Sequence, residues 1–372
     1  MSGIYIHIPF CKQACTYCDF HFSINRRIED RIIGAMLLEI ERESGFLKGK
    51  NIETIYFGGG TPSILKRESL DKLFEKLRKT FDLSKVKEIT LECNPDDINE
   101  ENIKNWKANG VNRLSIGIQS FNNEELRWMN RSHKSQDIHA KVKLAQDFGF
   151  SNISIDLIYG SKFQNENLWH DTINKVLELN IQHISAYNLT IEKKTKLGLM
   201  NKRGLEPNIN EELSLSQFNV LQESLEKSGF IHYEISNFAK EGFISQHNSS
   251  YWKNKSYLGI GPSAHSYNGI VRRYNCSSNS KYCQLLESKL NTYSEEKLSL
   301  DDKYNEYILT GIRTIWGCDL VYIESNFGEH YKSHATNIVQ KEKKNFIIQD
   351  AVFKLNKNGK ALSDYLTREL MI

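Results

Sequence analysis

Three cysteines lie within one short stretch near the start of the chain, at Cys11, Cys15 and Cys18. Thiolates are soft ligands that select zinc, copper(I) or iron-sulfur clusters. A structural zinc site is normally closed by a fourth ligand, but only three cysteines are grouped here. We therefore predict a four-iron cluster held by three thiolates, with one iron left open for another ligand.

Two other uses of these cysteines compete with a cluster. A zinc site completed by His7 or His21 is the serious rival. A disulfide framework is disfavoured, because seven cysteines are an odd number and the chain shows no secretory signal. The remaining cysteines are scattered, and we expect them to be small buried side chains: Cys93, Cys276, Cys283 and Cys318.

Short β-rich runs alternate with longer amphipathic segments in the first 230 residues. The runs predict strands at 4–8, 54–57, 88–92, 113–118, 153–158 and 183–189. Helices are predicted at 27–43, 69–81, 101–109, 135–148, 168–179 and 211–228. This order favours an α/β fold with a parallel sheet and right-handed crossovers, either open or curled into a barrel.

Chemically distinctive residues follow these strands at their carboxyl ends, where ligands bind in such folds. The cysteine loop follows the first strand, and the Gly-Gly-Gly-Thr-Pro run at 58–62 follows the second. Glu92, Gln119 and Asp156 stand at or near the ends of the next three. We expect all of them to meet at one mouth of the sheet.

Each of these residues also has a plainer interpretation. The glycines could shape a ligand pocket or simply form a tight turn. Glu92 and Asp156 could hold ribose hydroxyls or an ammonium group, or they could cap the following helices. Arg131 could pair with a ligand carboxylate or with Glu92, or it could be a solvated surface arginine.

The composition gives little indication of a polyanionic or membrane partner. Lys and Arg number 49 against 46 for Asp and Glu, a net charge of +3. The sequence shows no targeting leader and no apolar run of the roughly 18 residues that would span a bilayer. We expect a cytoplasmic protein that binds no nucleic acid and does not insert into a membrane, so that any membrane contact would be peripheral.

The chain is predicted to divide into three parts. Residues 1–230 carry the β/α rhythm, and 231–300 form a cap or connecting segment that contains the polar run His-Asn-Ser-Ser-Tyr-Trp at 247–252. Residues 301–372 read as three helices, a hairpin and a last helix, which resembles a winged helix. Ten basic and ten acidic residues in this last part argue against a DNA-reading face.

The cysteine run, with Tyr-x-His-Ile-Pro-Phe before it, resembles the radical S-adenosylmethionine (SAM) superfamily. More narrowly, almost the whole chain is similar to the oxygen-independent coproporphyrinogen III oxidase group. The resemblance implies a partial (β/α)6 radical-SAM barrel with a small carboxyl-terminal winged-helix-like domain. It also implies that Cys11, Cys15 and Cys18 hold a 4Fe-4S cluster whose fourth iron is chelated by the methionine part of S-adenosylmethionine.

The same resemblance implies a set of residues around S-adenosylmethionine. They lie in the first strand, the cysteine loop, the glycine loop and the later strand ends. These residues are Tyr5, Tyr17, Gly59, Gly60, Thr61, Glu92, Gln119, Arg131 and Asp156.

Two departures disfavour the true oxidases of this group, and a third feature resembles its HemW branch, whose members are haem chaperones. The oxidases carry a long amino-terminal extension and a fourth cysteine, whereas this sequence has ten residues before Cys11 and Phe20 at the fourth position. Residues 247–252 match the His-Asn-x-x-Tyr-Trp signature of that branch. A neutral imidazole is a good axial ligand for haem iron, so His247 is the candidate ligand, although a lone histidine in a polar loop is more often a hydrogen-bonded surface group.

We therefore expect a haem chaperone with a 4Fe-4S cluster, an S-adenosylmethionine site and a haem site, which delivers haem to an unidentified acceptor protein. The alternative is an oxidase that converts two propionates of coproporphyrinogen III to vinyl groups. A third interpretation is a winged-helix regulator with an iron-sulfur sensor, which would bind DNA in a salt-sensitive way.

Overall fold

The computed structural model describes residues 2–372. Its strands are β1 Ser2–Ile8, β2 Ile52–Gly59, β3 Glu88–Cys93, β4 Arg113–Gln119, β5 Asn152–Tyr159, β6 His183–Asn188, β7 Ile231–Glu234, β8 Asn237–Ala239, β9 Ser256–Ile260, β10 His265–Tyr267, β11 Val271–Asn275, β12 Tyr293–Lys297, β13 Cys318–Asp319, β14 Phe346–Gln349 and β15 Val352–Leu355.

Its helices are α1 Glu29–Arg42, α2 Arg67–Thr80, α3 Glu100–Ala108, α4 Asn123–Trp128, α5 Ile138–Asp147, α6 Glu166–Glu178, α7 Lys196–Lys202, α8 Glu211–Lys227, α9 Gln246–Trp252, α10 Asn279–Glu287, α11 Leu300–Gly311, α12 Leu320–Phe327, α13 Glu329–Lys341, α14 Lys357–Ala361 and α15 Ser363–Leu370. The six strands and six helices predicted in the first 230 residues are confirmed, with small shifts at their ends.

Strands β1 to β6 are parallel and lie side by side in chain order, joined by helical crossovers. Apolar side chains such as Ile155 and Ile184 pack under the helices in one large core. The alternate positions on the same strands are polar, for example Ser154 and Asp156 in β5. These strands therefore form an incomplete barrel with an apolar outer layer and a polar interior.

The sheet does not close, because further strands extend both of its edges. Strand β9 pairs in parallel with β1 and leads to the antiparallel strands β10, β11 and β12. Strands β8 and β7 add antiparallel to β6. The segment 231–300, expected to be a cap or connecting segment, thus supplies edge strands on both sides of a mixed twelve-stranded sheet.

The His-Asn-Ser-Ser-Tyr-Trp run was expected in a polar loop, and this expectation is wrong. It forms α9, which begins after Ser245, whose hydroxyl accepts a hydrogen bond from the backbone N–H of Asn248. The carboxylate of Glu88 accepts the backbone N–H groups of Gln246 and His247 at 2.9 and 2.8 Å. Sequence-distant contacts therefore make a helix from a polar segment without helical periodicity.

The last part of the chain has a hydrophobic core of its own, built around residues such as Ile308, Phe353 and Leu366. Three helices and the hairpin β14–β15 occur as predicted, and the short strand β13 pairs with β15 to give the winged-helix-like arrangement. The last helix is divided into α14 and α15. Among residues 2–372, none of the helices combines the length and apolar character that crossing a bilayer requires.

Candidate functional site

The loop that carries the three cysteines is held in shape by backbone hydrogen bonds. Its two sides are joined where Ser23 N–H donates to the Pro9 carbonyl and Cys11 N–H donates to the Ser23 carbonyl. The middle of the loop is tied down by Thr16, whose N–H donates to the Met129 carbonyl. The positions of the cysteines therefore follow from the fold of the chain around them.

All three cysteines of the loop are free, half-buried and part of one cavity wall. The Thr61 hydroxyl lies 3.4 Å from the Cys11 sulfur, and a guanidinium nitrogen of Arg131 lies 3.3 Å from the Cys15 sulfur. Within the part of the chain that the structure describes, no three His, Cys, Asp or Glu side chains converge on a point that could hold one metal ion.

The two histidines that could have completed a zinc site are engaged elsewhere. His7 Nε2 lies 2.9 Å from the His21 carbonyl oxygen, and His7 Nδ1 lies 3.1 Å from the Tyr5 hydroxyl. His21 Nε2 lies 2.7 Å from Asn279 Oδ1. Both ring nitrogens of His7 and one of His21 therefore have partners within the protein.

Burial disfavours the charged form of two of the thiols, Cys11 and Cys18. It raises the pKa of Cys11 to about 11 and the pKa of Cys18 to about 12. The surrounding protein alone therefore keeps these two groups as neutral thiols at neutral pH. A positively charged metal group, if bound, would hold them as thiolates, and its binding would release protons.

The cavity beside the cysteine loop has a volume of about 510 Å³ and lies at the carboxyl ends of the parallel strands. Eight of the nine residues that the resemblance implied around S-adenosylmethionine line it: Tyr17, Gly59, Gly60, Thr61, Glu92, Gln119, Arg131 and Asp156. The ninth, Tyr5, is not among the lining residues, and its ring stacks on that of Tyr56.

The glycine loop brings β2 against the cysteine loop. The Gly60 N–H donates to the Ile8 carbonyl at 2.8 Å, and the Thr61 N–H donates to the Phe10 carbonyl at 2.7 Å. A Cβ atom on Gly60 would stand 2.5 Å from that Phe10 oxygen, so no larger residue fits. Gly59 has a φ of +107°, which glycine adopts without strain.

Two carboxylates face the cavity from the barrel interior. Enclosure by protein raises the pKa of Glu92 to about 7, even though the Tyr56 hydroxyl donates a 2.7 Å hydrogen bond to it. Burial also raises the pKa of Asp156, which accepts from the Ser115 hydroxyl at 3.2 Å. Such acids are suited to receive the ammonium or hydroxyl groups of a ligand, which would favour their charged forms.

Arg131 supplies positive charge to the cavity wall. One guanidinium nitrogen donates to Asn94 Oδ1 and to the Gly117 carbonyl, both at 2.6 Å. Burial opposes the charged form, but Tyr17 and Cys15 raise the pKa of Arg131 overall. The arginine thus lies beside a thiol, and the structure places it with Asn94, not in a pair with Glu92.

The backbone at the end of β4 is strained. Gln119 has a φ of +62°, in the left-handed region that residues other than glycine seldom adopt. The register between β4 and β5 shifts at the same place, between Gly117 and Gln119. This irregularity lets Gln119 line the cavity, and strained residues of this kind cluster at binding sites.

His247 is the predicted residue that the structure places apart from the cavity. It is only 1% exposed and lies in the barrel interior. Its Nδ1 is 2.8 Å from the Thr54 hydroxyl, and its Nε2 is 2.9 Å from the Tyr251 hydroxyl. Both ring nitrogens are therefore engaged in this structure.

Reasoning from the sequence missed several residues of the site. Asn94, Ser115 and Tyr187 line the cavity, and Tyr56 holds Glu92. Alternation in the strands could have identified Ser115, because it shares the inward face with Arg113. Asn94 carries no comparable signal, since its role depends on the position of Arg131.

The fold and the cysteine-lined cavity define a radical SAM protein, and the Radical SAM superfamily model matches residues 5–176 of the chain. Heme chaperone HemW of Bacillus subtilis (strain 168) is 34% identical over 334 residues, which cover 89% of this chain and 87% of that protein. Heme chaperone HemW of Escherichia coli (strain K12) is 34% identical over 265 residues, with 71% and 69% covered. The chain belongs to the HemW family of radical SAM proteins.

A solved structure gives the same picture of the fold. Coproporphyrinogen III oxidase (HemN) from Escherichia coli, a radical SAM enzyme, superposes with a TM-score of 0.87 over 100% of this chain and 90% of that chain. The two sequences are 23% identical, so this likeness concerns the fold alone.

Proposed function

We propose that this protein is a haem chaperone that carries a 4Fe-4S cluster on Cys11, Cys15 and Cys18 and binds S-adenosylmethionine in the adjoining cavity. The observation that carries the proposal is the similarity to HemW proteins over most of the chain, at 34% identity to the relative from B. subtilis. The three separated thiols on one cavity wall support the cluster. A reducing compartment suits these thiols, so we place the protein in the cytoplasm.

The donor set of the cavity fits S-adenosylmethionine. That ligand carries a sulfonium, an ammonium group, a carboxylate and ribose hydroxyls, and the cavity offers both acids and an arginine. Glu92 and Asp156 can receive the cationic and hydroxyl groups, while Arg131 adds positive charge near the thiols. The bound ligand would complete the coordination of the cluster, and the residues of the chain orient it and enclose it.

Haem ligation by His247 is the part of the proposal that requires movement. An axial ligand needs one free imidazole nitrogen, and here Nε2 is bonded to the Tyr251 hydroxyl. Tyr251 is partly exposed, whereas His247 is enclosed. We propose that the Tyr251 hydroxyl leaves Nε2 when haem binds.

The test is an anaerobic haem titration of the reconstituted protein, followed by desalting. Wild type is expected to retain about one haem per chain, a ratio set by the single proposed axial ligand. His247→Ala is expected to lose the haem, and Tyr251→Phe, which frees Nε2, is expected to retain it. If wild type releases its haem, the chaperone proposal fails.

The variants also separate the candidate ligands. Loss of haem in Tyr251→Phe with retention in His247→Ala would assign the ligand to the tyrosine, a known haem ligand type. Formation of protoporphyrinogen from coproporphyrinogen III, with reductant and S-adenosylmethionine supplied, would support the oxidase alternative. We expect none, since Phe20 stands at the position of the fourth cysteine of the oxidases.

A further inference from the structure

Helix α9 is connected to the cavity by a continuous series of contacts through the barrel interior. The ring of His247 stacks on the ring of Tyr56, with centroids 5.0 Å apart and an angle of 28° between the planes. The Tyr56 hydroxyl donates to Glu92 Oε1 at 2.7 Å. Glu92 in turn lines the cavity. Two contacts therefore separate the α9 histidine from the proposed S-adenosylmethionine site.

The His247 ring is fixed from several sides. Its nitrogens face the Thr54 and Tyr251 hydroxyls at 2.8 and 2.9 Å. Gly3 in β1 makes room for it, because a Cβ atom there would lie 3.0 Å from the ring and 2.7 Å from the Thr54 oxygen. Burial lowers the pKa of His247 to about 3, so the ring is neutral at physiological pH.

Tyr56 has little freedom once that ring is in place. It is 8% exposed and lies between His247 and Tyr5, on whose ring it also stacks at 6.1 Å and 27°. Its hydroxyl donates a side-chain hydrogen bond to the Glu92 carboxylate. The orientation of this carboxylate therefore depends on where the Tyr56 ring is held.

We propose that His247 is a positioning residue for the cavity, which fixes Tyr56 and through it orients Glu92 toward S-adenosylmethionine. This inference rests on the proposed function in taking S-adenosylmethionine as the ligand of the cavity. It requires no haem at His247. The helix α9 thus contributes to cofactor binding although none of its residues touches the cofactor.

A double-mutant cycle on S-adenosylmethionine affinity tests the proposal. Equilibrium dialysis of the anaerobically reconstituted full chain measures the affinity without any catalytic assay. Tyr56→Phe removes a hydrogen bond to a charged group and is expected to weaken binding roughly 10-fold. His247→Ala is expected to weaken it about 5-fold, and the double variant no more than Tyr56→Phe alone, because both changes act on one path. Additive losses would overturn the proposed path through Tyr56.

The matched control is His232→Ala. His232 is also buried and stacked on an aromatic ring, that of Phe238 at 4.0 Å, but its Nε2 faces the Ile235 carbonyl and it contacts neither Tyr56 nor Glu92. Its replacement is expected to leave the affinity for S-adenosylmethionine within about 2-fold of wild type, which is the variation usual for substitutions at independent sites. An equal loss in this control and in His247→Ala would reduce the effect to general destabilisation and overturn the proposal.

A milder variant keeps the test decisive if His247→Ala does not fold. His247→Asn retains a polar group toward Thr54 but removes the ring that stacks on Tyr56, and a loss of at least about 3-fold is expected. Affinity equal to wild type would overturn the positioning role. Wild-type protein that binds no S-adenosylmethionine would instead refute the proposed function of the cavity.

Discussion

The three cysteines of the loop after β1 lie in surroundings that raise the pKa values of two of them, Cys11 and Cys18, through burial. We predict that Cys11→Ser, Cys15→Ser and Cys18→Ser each lose the broad visible absorption of a 4Fe-4S cluster after anaerobic reconstitution, because one thiolate fewer leaves a second iron without a protein ligand. Absorption spectra and iron content measure this. Cys276→Ser is the control, since that cysteine lies outside the cavity. Unchanged spectra in all three loop variants would contradict the assignment.

The ionisation of Glu92 makes the stability of the folded chain depend on pH. Its pKa rises from an ordinary 4.5 to about 7 in the folded chain, chiefly through burial, so the folded state holds this proton more tightly than the unfolded state. Between these two pH values the free energy of unfolding should therefore fall as pH rises. Glu92→Gln cannot ionise. We predict that its free energy of unfolding at pH 8 is about 1–2 kcal/mol higher than that of wild type, after allowance for solvent in the cavity.

The measurement is denaturant unfolding of both proteins without cluster or ligand, at pH 5 and pH 8. The difference in free energy of unfolding between wild type and Glu92→Gln should be small at pH 5 and should appear at pH 8. A difference that is the same at both pH values would contradict the predicted ionisation. In the reconstituted protein the same substitution should weaken S-adenosylmethionine binding, so that Glu92 trades stability for affinity.

At the scale of elements, α9 depends on a residue from a distant strand. The Glu88 carboxylate in β3 accepts two backbone N–H groups at the start of this helix, where a negative charge is also favourable to the helix dipole. We predict that Glu88→Gln, which loses the charge and one acceptor, lowers the free energy of unfolding by about 1–2 kcal/mol. It should also speed backbone hydrogen exchange in residues 246–252, which mass spectrometry can measure.

The control for this prediction is an exposed glutamate on another helix. Glu100 in α3 is bonded only to Lys104, one turn along the same helix. Its replacement by Gln should change stability by less than about 0.5 kcal/mol. If Glu88→Gln left exchange in α9 unchanged, the helix would be held by its buried face instead of by its start.

These elements also show what the sequence could and could not predict. The six parallel strands are runs of β-branched and apolar residues between helices of clear period, so local pattern and topology agree. The carboxyl ends of parallel strands lie at the same edge of the sheet. For this reason eight of the residues implied for the pocket line one cavity. Helix α9 has seven residues, five of them polar, and the Glu88 carboxylate that receives its first N–H groups is far away in the sequence.

Contacts between single residues far apart in the sequence could not be predicted either. Tyr56 and His247 were not foreseen as partners, because their stack unites β2 with a helix almost two hundred residues later. Strand β13 has two residues and exists only through its pairing with β15. Features that depend on such long-range packing carry no local signal in the sequence.

At the scale of the whole molecule, α9 lies between the barrel and the carboxyl-terminal core. On one side His247 reaches into the barrel interior. Directly after its last residue, Lys253 lies 3.9 Å from the centre of the Trp316 ring, and the Asn254 amide donates to the Thr310 hydroxyl at 3.3 Å. A displacement of α9 would therefore change contacts both near the cavity and in the carboxyl-terminal part of the chain.

This arrangement predicts that haem and S-adenosylmethionine weaken each other's binding. If His247 ligates haem, we expect its ring to turn away from the Tyr251 hydroxyl and also from the stack with Tyr56. The Tyr56 hydroxyl that donates to Glu92 is then no longer held in place. Binding linkage is reciprocal, so S-adenosylmethionine should weaken haem binding by the same factor, roughly 5-fold, by which haem weakens S-adenosylmethionine binding. Anaerobic titrations of each ligand, with and without saturating amounts of the other, measure both factors. In Tyr56→Phe the path is already broken and the coupling factor should approach one. Haem affinity that saturating S-adenosylmethionine leaves unchanged in wild type would mean that haem is held by a group other than His247.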